Sequence, residues 1–115
     1  MPVINVDWTV SKDNGEKRLF IDYITKTVSR AIKVQENVIN VFLREYSIEN
    51  SKDDSAVFTI TWSKTPERED GAKKEIIKAL TDYVSSTSNI KPEKVVVFFN
   101  DLDGKNVGVG GKQRS

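Results

Sequence analysis

The chain has 115 residues, 37% hydrophobic and 30% charged, the size and make-up of one globular domain. Eighteen Lys and Arg against seventeen Asp and Glu leave a net charge of +1, so no overall field draws in nucleic acid or an acidic membrane surface. The absence of cysteine and histidine excludes disulfide frameworks, thiolate nucleophiles, Ser-His-Asp chemistry and the usual zinc ligands.

The first predicted element is a strand, Val3 to Trp8, with Ile4, Val6 and Trp8 on one face and Asn5 and Asp7 on the other. Pro2 stands directly ahead of it. Between Leu19 and Ile32 the residues Leu19, Phe20, Tyr23, Ile24, Val28, Ala31 and Ile32 recur at helical spacing, opposite a side filled by Lys and Arg. Asp13 followed by Glu16 resembles a capping box, which predicts a helix start near Asn14. A strand follows over roughly Val38 to Tyr46, and polar Ser47 to Ser55 reads as a linker.

The next strand, Val57 to Trp62, copies the first, with Phe58, Ile60 and Trp62 in the alternating places. Thr65 as a cap, Pro66 in the first helical position and Glu67 and Glu69 near the positive dipole end predict a second helix from there. Its expected buried stripe is Ala72, Ile76, Ile77, Leu80, Tyr83 and Val84. Lys94 to Asn100 reads as the last long strand, and the glycine-rich run from Asp101 to Gly111 as a turn and small hairpin. Trp8 and Trp62 are expected to pack beneath the helices.

The order is β-α-β-β-α-β, and the halves repeat: Val3 to Val57 and Trp8 to Trp62 are both 54 positions apart. The same offset carries Pro2 onto Ala56. One half therefore has a proline able to become a free amine if Met1 is removed, and the other does not. A mixed face of Asn5, Asp7, Asn40, Arg44, Thr59 and Thr61 suits a sheet that meets other subunits.

Pro2, the repeat, the run Lys91-Pro92-Glu93 to Asp101 followed by Asn106-Val107-Gly108, and the tail Gly108-Val109-Gly110-Gly111 together resemble the tautomerase superfamily over the whole length. The likeness is to its macrophage migration inhibitory factor-like and fused 4-oxalocrotonate tautomerase-like branches. It implies an α+β fold: two β-α-β repeats form a four-stranded mixed sheet with two helices on one face and a short C-terminal hairpin. It also implies one tautomerase-like domain over 1–115, with halves of about 2–48 and 56–111, assembled as a homotrimer.

By that resemblance Pro2 is the catalytic residue, and Lys33, Lys64 and Asn106 bind a small-molecule carboxylate substrate without metal or organic cofactor. Other family pocket positions are altered, to Val96, Phe98, Asn40 and Val107. A free α-amine titrates near about 8, and neighbouring cations lower that value, so Pro2 would serve as a general base for keto–enol tautomerisation. Taken alone, Pro2 is a strand-edge proline, Lys33 a helix C-terminal cation, and Lys64 and Arg68 solvated charges. Arg44 is expected in an ion pair between subunits.

Three other readings stay open: a hydratase or dehalogenase of 3-substituted acrylates with Pro2 as an acid, a non-catalytic binding or signalling protein, and a monomeric ferredoxin-like domain. No RNA-binding aromatic motif, membrane-length apolar run of roughly 18 residues or signal peptide is evident, so a cytoplasmic protein without nucleic-acid or membrane partners is expected.

Overall fold

In a computed structural model describing residues 1–114, the chain runs β1 (Val3–Trp8), α1 (Asn14–Ile32), β2 (Asn40–Glu45), β3 (Ala56–Ser63), α2 (Asp70–Thr87), β4 (Val95–Leu102), β5 (Gly108–Val109) and β6 (Lys112–Gln113). The first four strands form one mixed sheet in the order β2-β1-β3-β4. Its central pair is antiparallel, and each outer strand lies parallel to its inner neighbour. Period-two sequence becomes period-two burial: Ile4, Val6 and Trp8 in β1, and Ala56, Phe58, Ile60 and Trp62 in β3, are buried.

Both helices cover that buried face. Each presents one i, i+4 row to the sheet, Phe20-Ile24-Val28-Ile32 from α1 and Ile76-Leu80-Val84 from α2. Trp8 stacks on Phe20 with centroids 4.4 Å apart, Phe20 on Tyr83 at 5.4 Å, and Tyr23 on Tyr83 at 4.2 Å, so an aromatic column joins β1 to both helices. Removing each large apolar side chain from water contributes on the order of 2–3 kcal/mol. Leu19 and Ile77, expected in the buried stripes, are exposed instead. They lie one residue beside the contact rows formed by Phe20-Ile24-Val28-Ile32 and Ile76-Leu80-Val84.

The capping box forms: the Glu16 N–H donates to Asp13 Oδ1 at 2.8 Å and the Asp13 N–H to Glu16 Oε1 at 3.4 Å. The second helix starts later than its sequence suggests. Pro66–Arg68 is a 3-10 turn closed by the Arg68 N–H on the Thr65 carbonyl at 3.0 Å, Glu69 is extended, and α2 begins at Asp70. The Thr65 side chain makes no capping bond. Arg68 is drawn inward onto Ser63 and Trp62, which breaks the helical path. The strand expected over Val38 to Tyr46 is shorter, because Glu36–Val38 forms a 3-10 turn. A similar turn, Ile48–Asn50, occupies the linker, and β4 continues to Leu102.

The opposite sheet face is uncovered. Phe42, Asn5, Thr59 and Phe98 are aligned across the four strands by register, and Phe42 and Phe98 are each 56% exposed. Beside them Arg44 grips Asp7 through Nε at 2.7 Å and Nη2 at 3.2 Å, while the Tyr46 hydroxyl donates to Asp7 at 2.7 Å. Arg44 thus makes an ion pair within the chain, to Asp7 on the neighbouring strand. The hydrogen bonds from Arg44, with that from Tyr46, hold the Asp7 carboxyl below its ordinary range.

At the C-terminal end β5 and β6 pair across Gly110 and Gly111, with φ of 61° and 81°, the left-handed pair a tight two-residue hairpin needs. Among the described residues no helix is long and apolar enough to cross a membrane.

Candidate active site

Strand pairing gathers one end of the sheet. Val3 lies between Asn40 at the start of β2 and Thr61 near the end of β3, and Thr61 pairs with Asn100 near the end of β4. The close of β3 leads into the 3-10 turn before α2, so Lys64 and Arg68 stand at this same end. Pro2 is buried there, its carbonyl accepting the Asn40 N–H at 3.0 Å, and Met1 above it is half-buried.

Burial pushes the chain-terminal amine below its ordinary 8.0, and the positive charges of Arg114 and Arg68 act in the same direction. Arg114 comes from the far end of the sequence; its N–H donates to the Val107 carbonyl at 2.8 Å and ties the chain end back to the hairpin. Arg68 is half-buried, with its guanidinium 5.6 Å above the Trp62 ring and Nη1 donating to the Ser63 carbonyl at 2.8 Å. Its Nε is buried and, like Trp8 Nε1 at the other end of the sheet, has no hydrogen-bond partner among the described residues. Burial first, and then the charge of Arg114, lower the Arg68 pKa against the opposing pull of Glu67. An unpaired charged donor in such a place suits a carboxylate, which completes the fork.

Beyond Arg68 lies an open cleft of ≈ 660 Å³, lined among others by Lys64, Thr65, Glu69, Lys73 and Asp101. Trp62 Nε1 donates to Asp101 Oδ1 at 2.6 Å, and Lys73 Nζ bonds Asp101 Oδ2. The bond from Lys73 and then that from Trp62 hold this carboxyl below its ordinary 3.8, against the opposing effect of burial. Among the described residues no three acidic side chains converge as metal ligands.

The four residues singled out by sequence are placed unequally. Pro2 lies under the terminus, with Arg68 and Arg114 acting on the amine beside it. Lys64 lines the cleft with its side chain 63% exposed, 3.9 Å from Asp103. Lys33 is exposed at the C-cap of α1, at φ 59°, and Asn106 is exposed in the 3-10 turn Gly104–Asn106. Neither of these two side chains makes a hydrogen bond or ion pair among the described residues.

Arg68 was legible only as a solvated charge, although a cation beside a helix N-terminus opposes the dipole and so signals another demand. Nothing in the sequence marks Arg114, whose approach depends on the hairpin turning back.

A family model described as "Tautomerase enzyme" matches residues 63–114, from the end of β3 through the hairpin. No curated protein matches the chain. Among solved structures, Pt0534 inactivated by 2-oxo-3-pentynoate superposes with a TM-score of 0.85 at 18% identity, over 97% of this chain and 96% of that one. A wild-type fused 4-OT in a symmetric trimer gives 0.84 at 18%, over 97% and 94%. The macrophage migration inhibitory factor-like protein of Entamoeba histolytica gives 0.81 at 13%, over 97% of each chain. At such identities the structural likeness is one of fold. The chain thus has the fold of these tautomerase and macrophage migration inhibitory factor-like structures over nearly its whole length, and the tautomerase family model matches its second half, residues 63–114.

Proposed function

We propose that the protein is a cofactor-independent keto–enol tautomerase of a 2-oxo acid or its enol, working once Met1 has been removed and Pro2 carries the free amine. The observation that carries this reading is the place of the chain terminus beside Arg68, whose buried Nε has no partner among the described residues, in surroundings that lower the pKa of the Met1 amine. On this proposal Pro2 nitrogen, one residue along from the Met1 amine, takes over its cationic surroundings once Met1 is removed.

In the forward step the neutral amine takes a proton from the carbon next to the keto group. The C–H electron pair forms the C=C bond, the carbonyl π pair moves to oxygen, and a proton taken up there gives the enol; the reverse path returns the proton to carbon. Arg68 holds the carboxylate through Nε, and Arg114 adds positive charge where the enolate develops. Lys64, which lines the cleft, is proposed with Lys33 and Asn106 as a further contact for the substrate. A lowered amine pKa favours base chemistry over the acid role that hydration or dehalogenation needs. The alternative of a non-catalytic protein predicts uniform retention of Met1.

Turnover of the enol form of phenylpyruvate and of 2-hydroxymuconate by protein verified to begin at Pro2 tests the reading, with Pro2→Ala alongside. Equal rates from the two proteins, or no turnover, would sink it.

A homotrimer is part of the same proposal, since fused 4-OT is described as a trimer and the bare Phe42–Phe98 face here suits burial between copies. Light scattering should give three chains for the native protein and a smaller species for Phe98→Asp; a native monomer would refute the trimer.

A further inference from the structure

Arg68 rests on a built support. Its guanidinium lies over Trp62, which is 1% exposed and whose only polar side-chain atom donates to Asp101 Oδ1 at 2.6 Å. Trp62 and Asp101 are register partners on β3 and β4, so the bond spans neighbouring strands. Lys73, one turn into α2, bonds the other carboxylate oxygen, and its ammonium lies 5.6 Å over Phe99, whose ring is 5.3 Å from Trp62. A buried indole tied by its single donor keeps one orientation. The platform under Arg68 is therefore set by a carboxylate on the next strand.

We propose that Asp101, clamped by Lys73, is a positioning residue for Arg68: through Trp62 it fixes the guanidinium beside the chain terminus with Nε left for a substrate carboxylate. Both oxygens of Asp101 are engaged, one by the indole and one by an ammonium, which leaves neither to carry protons to the reacting carbon. Its influence reaches the substrate through Arg68. The kinetic consequence rests on the tautomerase reading, whereas the geometry does not.

The test uses protein verified to begin at Pro2, with the terminal amine titrated by NMR and the phenylpyruvate reaction followed at steady state. Arg68→Ala should raise the amine pKa toward 8.0 and raise KM by about 10- to 100-fold. Asp101→Ala should move both in the same direction but less, with KM up about three- to tenfold and kcat within about twofold. Asp101→Asn, which keeps an acceptor for the indole, should recover part of the loss. In the Arg68→Ala background Asp101→Ala should add nothing to either reading.

Trp62→Phe, which keeps a ring but loses the bond to Asp101, should reproduce the partial effect if Asp101→Ala does not fold. An unchanged amine pKa and KM in Asp101→Ala or Trp62→Phe, or effects fully additive with Arg68→Ala, would overturn the proposal. If no variant turns over substrate while the amine shifts follow the pattern, the tautomerase reading falls and the positioning role stands.

Discussion

Where β1 begins, the terminal amine, Arg68 and Arg114 sit near one another, and the buried Nε of Arg68 finds no protein partner. Where β3 begins, at the other end of the same sheet, the cations are answered. Lys12 donates to the Thr87 carbonyl at 2.8 Å and lies 3.6 Å from Glu16, Lys17 meets Glu45 at 2.9 Å, and Lys94 pairs with Asp53. Ala56, the counterpart of Pro2, is fully buried mid-chain and has no amine to offer. Each end keeps one buried donor without a partner among the described residues, Arg68 Nε at the first and Trp8 Nε1 at the second. The two ends differ in that the first combines a charged unpaired donor with the chain terminus. On the function proposed above, reactivity follows the free terminus and the charged donor beside it rather than the frame.

The sharpest way to break this contrast is to remove the amine's special character. Pro2→Ala on processed protein should lower kcat/KM by at least about 100-fold, the range expected for loss of a positioned base, as read by enol ketonisation. Comparing cations at the two ends comes next. Arg68→Ala should lower kcat/KM by about 10- to 100-fold, whereas Lys12→Ala, whose partners are already a carbonyl and a carboxylate, should leave it within about twofold. Similar losses from both would erase the distinction.

The pH profile sharpens it further. A base works unprotonated, and burial and the nearby cations hold the Met1 amine below 8.0; with the Pro2 amine taking over those surroundings after trimming, activity should be weak at low pH, rise through that depressed value and level off by about pH 8. A limb centred above 8.0 would point to an acid role instead. The smallest effects belong to exposed Lys33 and Lys64, whose alanine variants should raise KM by no more than about threefold to fivefold, because solvent screens them.

Much of this was legible in the sequence, for physical reasons that also mark where reading fails. The alternation in Val3–Trp8 and Val57–Trp62 carried directly into burial, because a strand has only two sides. Asp13 and Glu16 announced the start of α1 through a purely local pair of hydrogen bonds. The start of α2 failed by the same standard: Thr65, Pro66 and Glu67 satisfy every local rule, yet the inward pull of Arg68 on Ser63 and Trp62 decides the path. Leu19 and Ile77 show that helical periodicity gives a stripe but not its width. At the site, Pro2 was visible as a chemical type, while Arg114 and the link from Asp101 to Trp62 exist only after distant segments meet.

The ladder between β1 and β2 runs up to residue 2, where the Asn40 N–H holds the Pro2 carbonyl. No slack separates the anchored backbone from the first nitrogen. On the chemistry proposed above, a newly translated molecule is latent, and an affinity tag fused in front of Pro2 would silence it as surely as a substitution. Specific activity should then scale with the fraction of trimmed chains, which makes intact mass a gauge of how much enzyme a preparation contains.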